Sequence, residues 1–125
     1  MELTIEQALQ QGVVAHKEGK LQDAERLYRA ILQSQPAHPD ANHNLGIIAV
    51  SVNKVDTALP LFKIALEGNP KIEQFWLSYI EALIKGKQFD NAKVIFEQAT
   101  EQGVDPDRLN SLEAQLKKTM QSALP

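Results

Sequence analysis

The chain has 125 residues, of which 43% are hydrophobic, and a formal net charge of -3 from 13 basic and 16 acidic side chains. This length and composition suit one domain of a soluble globular protein. No stretch concentrates Lys or Arg as the surface of a nucleic-acid-binding protein would, so we expect no nucleic-acid partner. With 0 cysteines, the chain has no disulfide, no thiolate nucleophile and no Cys-ligated zinc.

The N-terminal segment lacks the basic start and the continuous apolar core of a signal peptide. No segment approaches the roughly 18 to 20 apolar residues that a membrane span requires. We therefore expect a cytoplasmic protein without a membrane partner, unless a longer natural chain carries its address elsewhere.

The first helix is predicted to begin after Thr4, because Thr4 and Gln7 have the spacing of a capping box. Gly19 is expected to end this helix, since glycine accepts the left-handed conformation that closes a helix C-terminus. A second helix is predicted from about Leu21 to Gln35, where apolar residues recur every three or four positions, as on one buried stripe.

The third helix is predicted to open at Pro39, because proline fits the first helical turn, where its missing N–H would have no partner. Asn53 then takes the place that Gly19 holds in the first helix, as the next best residue for a left-handed end. The fourth helix should start near Val55. Pro60 lies within it, close enough to its N-terminus to limit the loss of backbone hydrogen bonds.

Apolar residues between Phe75 and Ile84 mark the fifth helix, and the sixth is predicted from about Phe89 to Glu101. Asp105 is the expected N-cap of a seventh helix with Pro106 at its first position. This amphipathic helix is predicted to span about residues 106–121.

One constant interval separates many landmarks of the sequence, among them Tyr28, Phe62 and Phe96. A fixed period of roughly 20 to 50 residues indicates stacked units, each too small to bury its own apolar face. The same interval relates Gly12 to Gly46, Ala24 to Ala58 and Ala92, and Pro36 to Pro70. The glycines and alanines carry little or no side chain, and we expect them where paired helices cross, because they would allow a close approach there.

At these residues the chain resembles a tetratricopeptide repeat (TPR) protein, whose 34-residue unit is a helix-turn-helix. The resemblance implies an all-α fold in a single domain over residues 1–125, with three repeats stacked in a right-handed superhelix. The repeats would cover about residues 5–38, 39–72 and 73–106. The seventh helix departs from the period and is interpreted as a cap. Val104 stands where the pattern expects Pro, and Ile80 where it expects Gly. Because Ile80 cannot allow the same close approach, we expect the third pair to be slightly more splayed.

The resemblance also implies a non-enzymatic scaffold that binds a partner protein, as a peptide or a helix, in a concave groove lined by the first helix of each pair. Relatives that clamp the C-terminal carboxylate of a chaperone use cations and asparagines there, and this chain keeps only Asn44 of that set. We therefore expect no carboxylate clamp. By register, the predicted peptide-binding residues are Leu9, Gln10, Val13, Lys17, His43, Asn44, Ile47, Leu77, Ser78 and Glu81.

Asn44 has a second interpretation, because repeats of O-linked N-acetylglucosamine transferases carry groove asparagines that hold the backbone of a peptide. The chain is also similar to TPR segments that precede transferase domains in bacterial proteins. An alternative function is therefore the substrate-presenting arm of a glycosyl- or sulfotransferase whose catalytic domain lies outside these residues. A third hypothesis is self-association into a homo-oligomer through the groove or the exposed end of the stack.

Catalysis within these residues finds no support in the sequence. His16, His38 and His43 lack the spacing of metal ligands. The chain also has no glycine-rich phosphate loop and no serine nucleophile elbow. We expect no catalytic residue, no metal and no cofactor.

Overall fold

The structure, a computed structural model, describes residues 2–124, which form seven α-helices and no strand. They fall into two compact units, unit 1 (Met1–Gly68) and unit 2 (Asn69–Pro125). Among residues 2–124, no helix has the length and apolar character needed to cross a bilayer. The helices are α1 (Ile5–Lys17), α2 (Leu21–Ser34), α3 (Pro39–Ser51) and α4 (Val55–Gly68) in unit 1, and α5 (Glu73–Lys85), α6 (Phe89–Glu101) and α7 (Pro106–Ala123) in unit 2.

The all-α fold is thus confirmed, and so are the predicted helix starts. The Gln7 amide donates to the Thr4 hydroxyl at 3.1 Å, and the Thr4 amide donates back to the Gln7 side chain at 3.0 Å. Asp105 caps α7 by accepting a hydrogen bond of 3.0 Å from the Asp107 amide. Each start is a local arrangement of a few neighbouring residues, which explains why the sequence alone locates it.

The turns inside the three helix pairs share one geometry. Gly19 has φ +78°, Asn53 has φ +63° and Lys87 has φ +59°, and the same repeat interval separates each from the next. Gly86, the neighbouring glycine, keeps φ -80°. The amide after each left-handed residue donates to a carbonyl five residues back, at 2.8 to 2.9 Å. The hydrogen-bonded turn therefore sets which residue is left-handed, and in the third pair it selects lysine over the adjacent glycine.

Unit 1 depends on two close contacts between a glycine and an aromatic ring. A Cβ atom added to Gly12 would lie 2.6 Å from Tyr28 Cε1, and one added to Gly46 would lie 2.6 Å from Phe62 Cε1. Both rings are almost fully buried, at 0% and 1% exposure. The interpretation of these glycines as sites of close helix approach is confirmed for both pairs of unit 1.

The third helix pair, α5 and α6 in unit 2, packs differently from the two pairs of unit 1. Ile80 occupies the position of the glycine and is buried, while Phe96 is only half-buried. The ring at the third position of the 34-residue interval is therefore less buried than the rings of Tyr28 and Phe62. Leu109, Leu112 and Leu116 of α7 are buried where this helix packs on α5 and α6.

A side-chain hydrogen bond ties the first helix of the second and third pairs to the turn before it. Asn42 Nδ2 donates to the carbonyls of Pro36 at 3.0 Å and His38 at 2.9 Å. Trp76, at the equivalent position of the next repeat, donates from Nε1 to the carbonyl of Pro70 at 2.7 Å. Because both side chains are buried, each bond forms in a low-dielectric setting that strengthens it. Trp76 is thus both a buried packing residue and the donor that fixes a turn.

Replacing Asn42 with alanine is expected to lower the free energy of unfolding by about 1 to 3 kcal/mol, because the turn carbonyls lose their buried donor. Asn110→Ala is the matched control, since it removes the same amide from an exposed position of α7. Urea denaturation followed by circular dichroism measures both variants. Equal losses of stability in the two would contradict the role given to Asn42.

Candidate functional site

A cleft of about 410 Å³ lies between α5 and α7, entirely within unit 2. Its floor is apolar, formed by Leu77 and Leu112, which are 6% and 9% exposed. Its rim is polar, and it combines side-chain amides, a hydroxyl and charged groups. The lining residues are Gln74, Leu77, Glu81, Asp107, Arg108, Ser111, Leu112 and Gln115.

Arg108 joins the two helices at one end of this cleft. Its guanidinium donates to Gln74 Oε1 at 2.7 Å and forms an ion pair with Glu73 Oε1 at 3.3 Å. Gln74 in turn donates from Nε2 to the hydroxyl of Ser78 at 3.1 Å. The N-terminal ends of α5 and α7 therefore lie side by side, and the positive charge of Arg108 is balanced within unit 2.

Two of the residues predicted on α5, Leu77 and Glu81, line the cleft. The third, Ser78, is 4% exposed and lies at its edge as the acceptor from Gln74. The binding role of all three stays a prediction, and the structure adds that Leu77 and Glu81 line a cleft shared with α7.

The residues that α7 contributes were missed by the sequence analysis, which treated this helix as a cap outside the period. Helix α7 begins at Pro106, almost one full repeat interval after α5 begins at Glu73. Adding the same 34-residue interval to positions on the predicted face of α5 would have identified the residues of α7 that face them. Gln74 then corresponds to Arg108, Leu77 to Ser111 and Glu81 to Gln115.

In unit 1 the predicted residues differ in exposure. Half-buried side chains predominate, two are exposed and one is buried, so they form no uniform surface. Their binding role also stays a prediction. Gln10 and Lys17 are exposed, Leu9, Val13, Asn44 and Ile47 are half-buried, and His43 is 8% exposed.

His43 lies inside unit 1 in a small polar cluster. Its Nδ1 is 3.3 Å from Asn44 Oδ1, and its ring centroid is 5.5 Å from that of Phe62 at an interplanar angle of 50°. The Tyr28 hydroxyl is buried without a hydrogen bond of good geometry among the described residues. Burial raises the pKa of Tyr28, and the neighbouring Asn44 side chain offsets part of this rise.

Burial also lowers the pKa of His43 below its ordinary value of 6.5, although Asn44 and the charge of Asp40 act in the opposite direction. The ring contact with Phe62 explains the sign, since a charged imidazole would lose its hydration there. His43 is therefore a buried neutral histidine. An open peptide-binding surface would have left it exposed to solvent.

Unit 1 should lose stability as the pH falls below about 6.5, because the unfolded chain binds a proton at His43 more readily than the folded chain. The loss continues down to the lower pKa of the folded state, with a slope of at most about 1.4 kcal/mol per pH unit for one proton. Urea denaturation at several pH values measures it. The free energy of unfolding should depend less on pH in the His43→Gln variant than in the His16→Gln variant. Equal pH dependence in the two variants would mean that a group other than His43 causes the loss of stability.

An open depression of about 670 Å³ between α1 and α2 is a less suitable binding site in unit 1. Its charged groups are satisfied locally, by an ion pair of 3.3 Å between Lys20 and Glu18 and one of 3.1 Å between Arg26 and Asp23. Of the predicted residues, Gln10 lines it. The α5–α7 cleft, which combines an apolar floor with two predicted residues, is the better candidate.

Helix pairs with the same turn at a 34-residue interval define a helical-repeat protein. The sequence profile of the tetratricopeptide repeat matches residues 49–116, which are more than half of the chain. The chain belongs to the tetratricopeptide repeat family. The matched region extends into α7.

Solved structures show the same fold. The Sgt2 TPR domain from Aspergillus fumigatus is 19% identical and superposes with a TM-score of 0.81, covering 95% of this chain and 80% of that one. The first TPR of Spaghetti (RPAP3), bound to the HSP90 peptide SRMEEVD, is 18% identical with a TM-score of 0.77, covering 92% and 89%. An O-GlcNAc transferase mutant from Thermobaculum terrenum is 21% identical with a TM-score of 0.77, covering 93% and 23%. No curated protein sequence matches significantly.

Proposed function

We propose that this chain is a protein-interaction scaffold that binds an extended peptide in the α5–α7 cleft. One observation carries the proposal: two neighbouring helices place an apolar floor between side-chain amides. Leu77 and Leu112 are positioned to contact an apolar part of the ligand, and the amide of Gln115 can donate to a carbonyl and accept from an N–H. Gln74 keeps one further N–H and one further lone pair for the ligand beyond its bonds with Ser78 and Arg108. An arrangement of this kind suits a peptide backbone whose side chains reach into a shallow cleft.

The comparison with Spaghetti supports a peptide as the ligand, because that TPR is bound to the HSP90 peptide SRMEEVD. The ligand of this chain should differ from that acidic peptide. Leu9 and Val13 occupy places where carboxylate-clamping relatives are expected to have polar or cationic side chains. In unit 2, the cation of Arg108 is already engaged by Glu73 and Gln74.

A second candidate is that the chain presents a substrate to a transferase domain outside these residues. The likeness to the O-GlcNAc transferase, in which the match covers 23% of a much longer chain, favours it. Detection of the native protein with an antibody against α7 would test this: a polypeptide far longer than 125 residues is required. Self-association, a cytoplasmic location and a bacterial origin stay predictions.

Ser111→Trp is expected to weaken peptide binding by at least about tenfold, because an indole on the exposed rim would fill the cleft without disturbing its buried floor. Asn110→Trp is the matched control, since it adds the same group at the adjacent exposed position of α7 that does not line the cleft. Binding to an array of degenerate peptides, with circular dichroism as a check on folding, measures both variants. Unchanged binding by folded Ser111→Trp would refute a site in this cleft.

A further inference from the structure

We infer that the peptide bound in the α5–α7 cleft inserts a lysine or arginine side chain, which pairs with Glu81 and packs its aliphatic stem on the leucine floor. This inference rests on the proposed function and adds the chemistry of the partner. It follows from how the charges of unit 2 are distributed along the cleft.

At the N-terminal end of the cleft the charges are already paired. Arg108 forms its ion pair with Glu73 at 3.3 Å and donates to Gln74 at 2.7 Å. An incoming carboxylate would have to compete with both partners to reach the guanidinium. Asp107, which also lines this end, would repel it.

At the other end, Glu81 is exposed and forms no ion pair with any of residues 2–124. Lys85, one helical turn further along α5, is not within ion-pair distance of it. The facing residues of α7, Ser111 and Gln115, are neutral. A cation entering here therefore meets an uncompensated carboxylate, together with a hydroxyl and an amide that can complete its hydrogen bonds.

The balanced pair at Arg108 is too far away to replace a cation at Glu81. Glu81 lies seven residues after Gln74, which is about 10 Å along a helix. Because the attraction between two charges falls with distance, it is roughly two and a half times weaker at about 10 Å than at about 4 Å, and salt screens the longer interaction further. A ligand cation placed beside Glu81 thus gains an interaction that the chain itself does not supply.

The floor of the cleft explains why a long basic side chain fits better than a small polar one. Leu77 and Leu112 leave an apolar surface between the two charged ends of the cleft. Lys and Arg side chains cover such a surface with their methylene stems while the charged head stays at the wet rim. An apolar ligand side chain would use the floor alone, and a carboxylate would be repelled by Glu81.

Three degenerate nonapeptide pools that differ only at a fixed central residue, Lys, Gln or Glu, test the inference on a peptide array. Wild-type protein should bind the Lys pool about three to ten times more tightly than the Glu pool, since an exposed ion pair contributes only modestly. Glu81→Lys should reverse this order. The matched control Glu97→Lys, an equal change of charge at an exposed position of α6, should keep it.

Peptide binding by wild-type protein without preference for the Lys pool would overturn the inference and leave the proposed function standing. Equal effects of Glu81→Lys and Glu97→Lys would also overturn it, because the preference would then come from net charge. Absence of binding to all three pools would refute the proposed function and the inference with it. A reversal confined to Glu81→Lys, in a variant whose circular dichroism is native, supports the inference.

Discussion

The close contact between a helical glycine and an aromatic ring is the constraint on which unit 1 depends. A single methyl group at Gly12 or Gly46 would fall 2.6 Å from the ring of Tyr28 or Phe62, so a larger residue at either position would force the two helices of its pair apart. The glycine and the ring together therefore set how closely the helices of each pair approach.

Helix bounds were predicted closely from the sequence because helix ends depend on neighbouring residues, as the cap at Thr4 and the proline after Asp105 show. The left-handed lysine was not predicted. Local preference favours Gly86, yet the hydrogen bond from Gln88 to Leu83 closes the turn only when Lys87 takes that conformation. Phe96 is likewise less buried than Tyr28 and Phe62, although it lies at the same interval, and a local pattern does not show that difference.

The candidate site was predicted in part. Register on α5 identified Leu77 and Glu81, since residues three or four positions apart share one helix face. The partners on α7 were missed because a helix interpreted as a cap was not assigned a binding face. The pairing of Arg108 with Glu73 needs the rotation of one helix about its axis relative to the other, and periodicity does not determine that angle. The burial of His43 was missed for the same reason, as it depends on the Phe62 ring.

His43, the buried histidine whose pKa is lowered, lies in unit 1, whereas the cleft with Glu81 lies in unit 2. A fall in pH that charges this imidazole therefore acts on the packing of unit 1, at a residue that does not line the cleft. Replacing His43 would change how the stability of unit 1 responds to acid and would leave every residue that lines the cleft as it is.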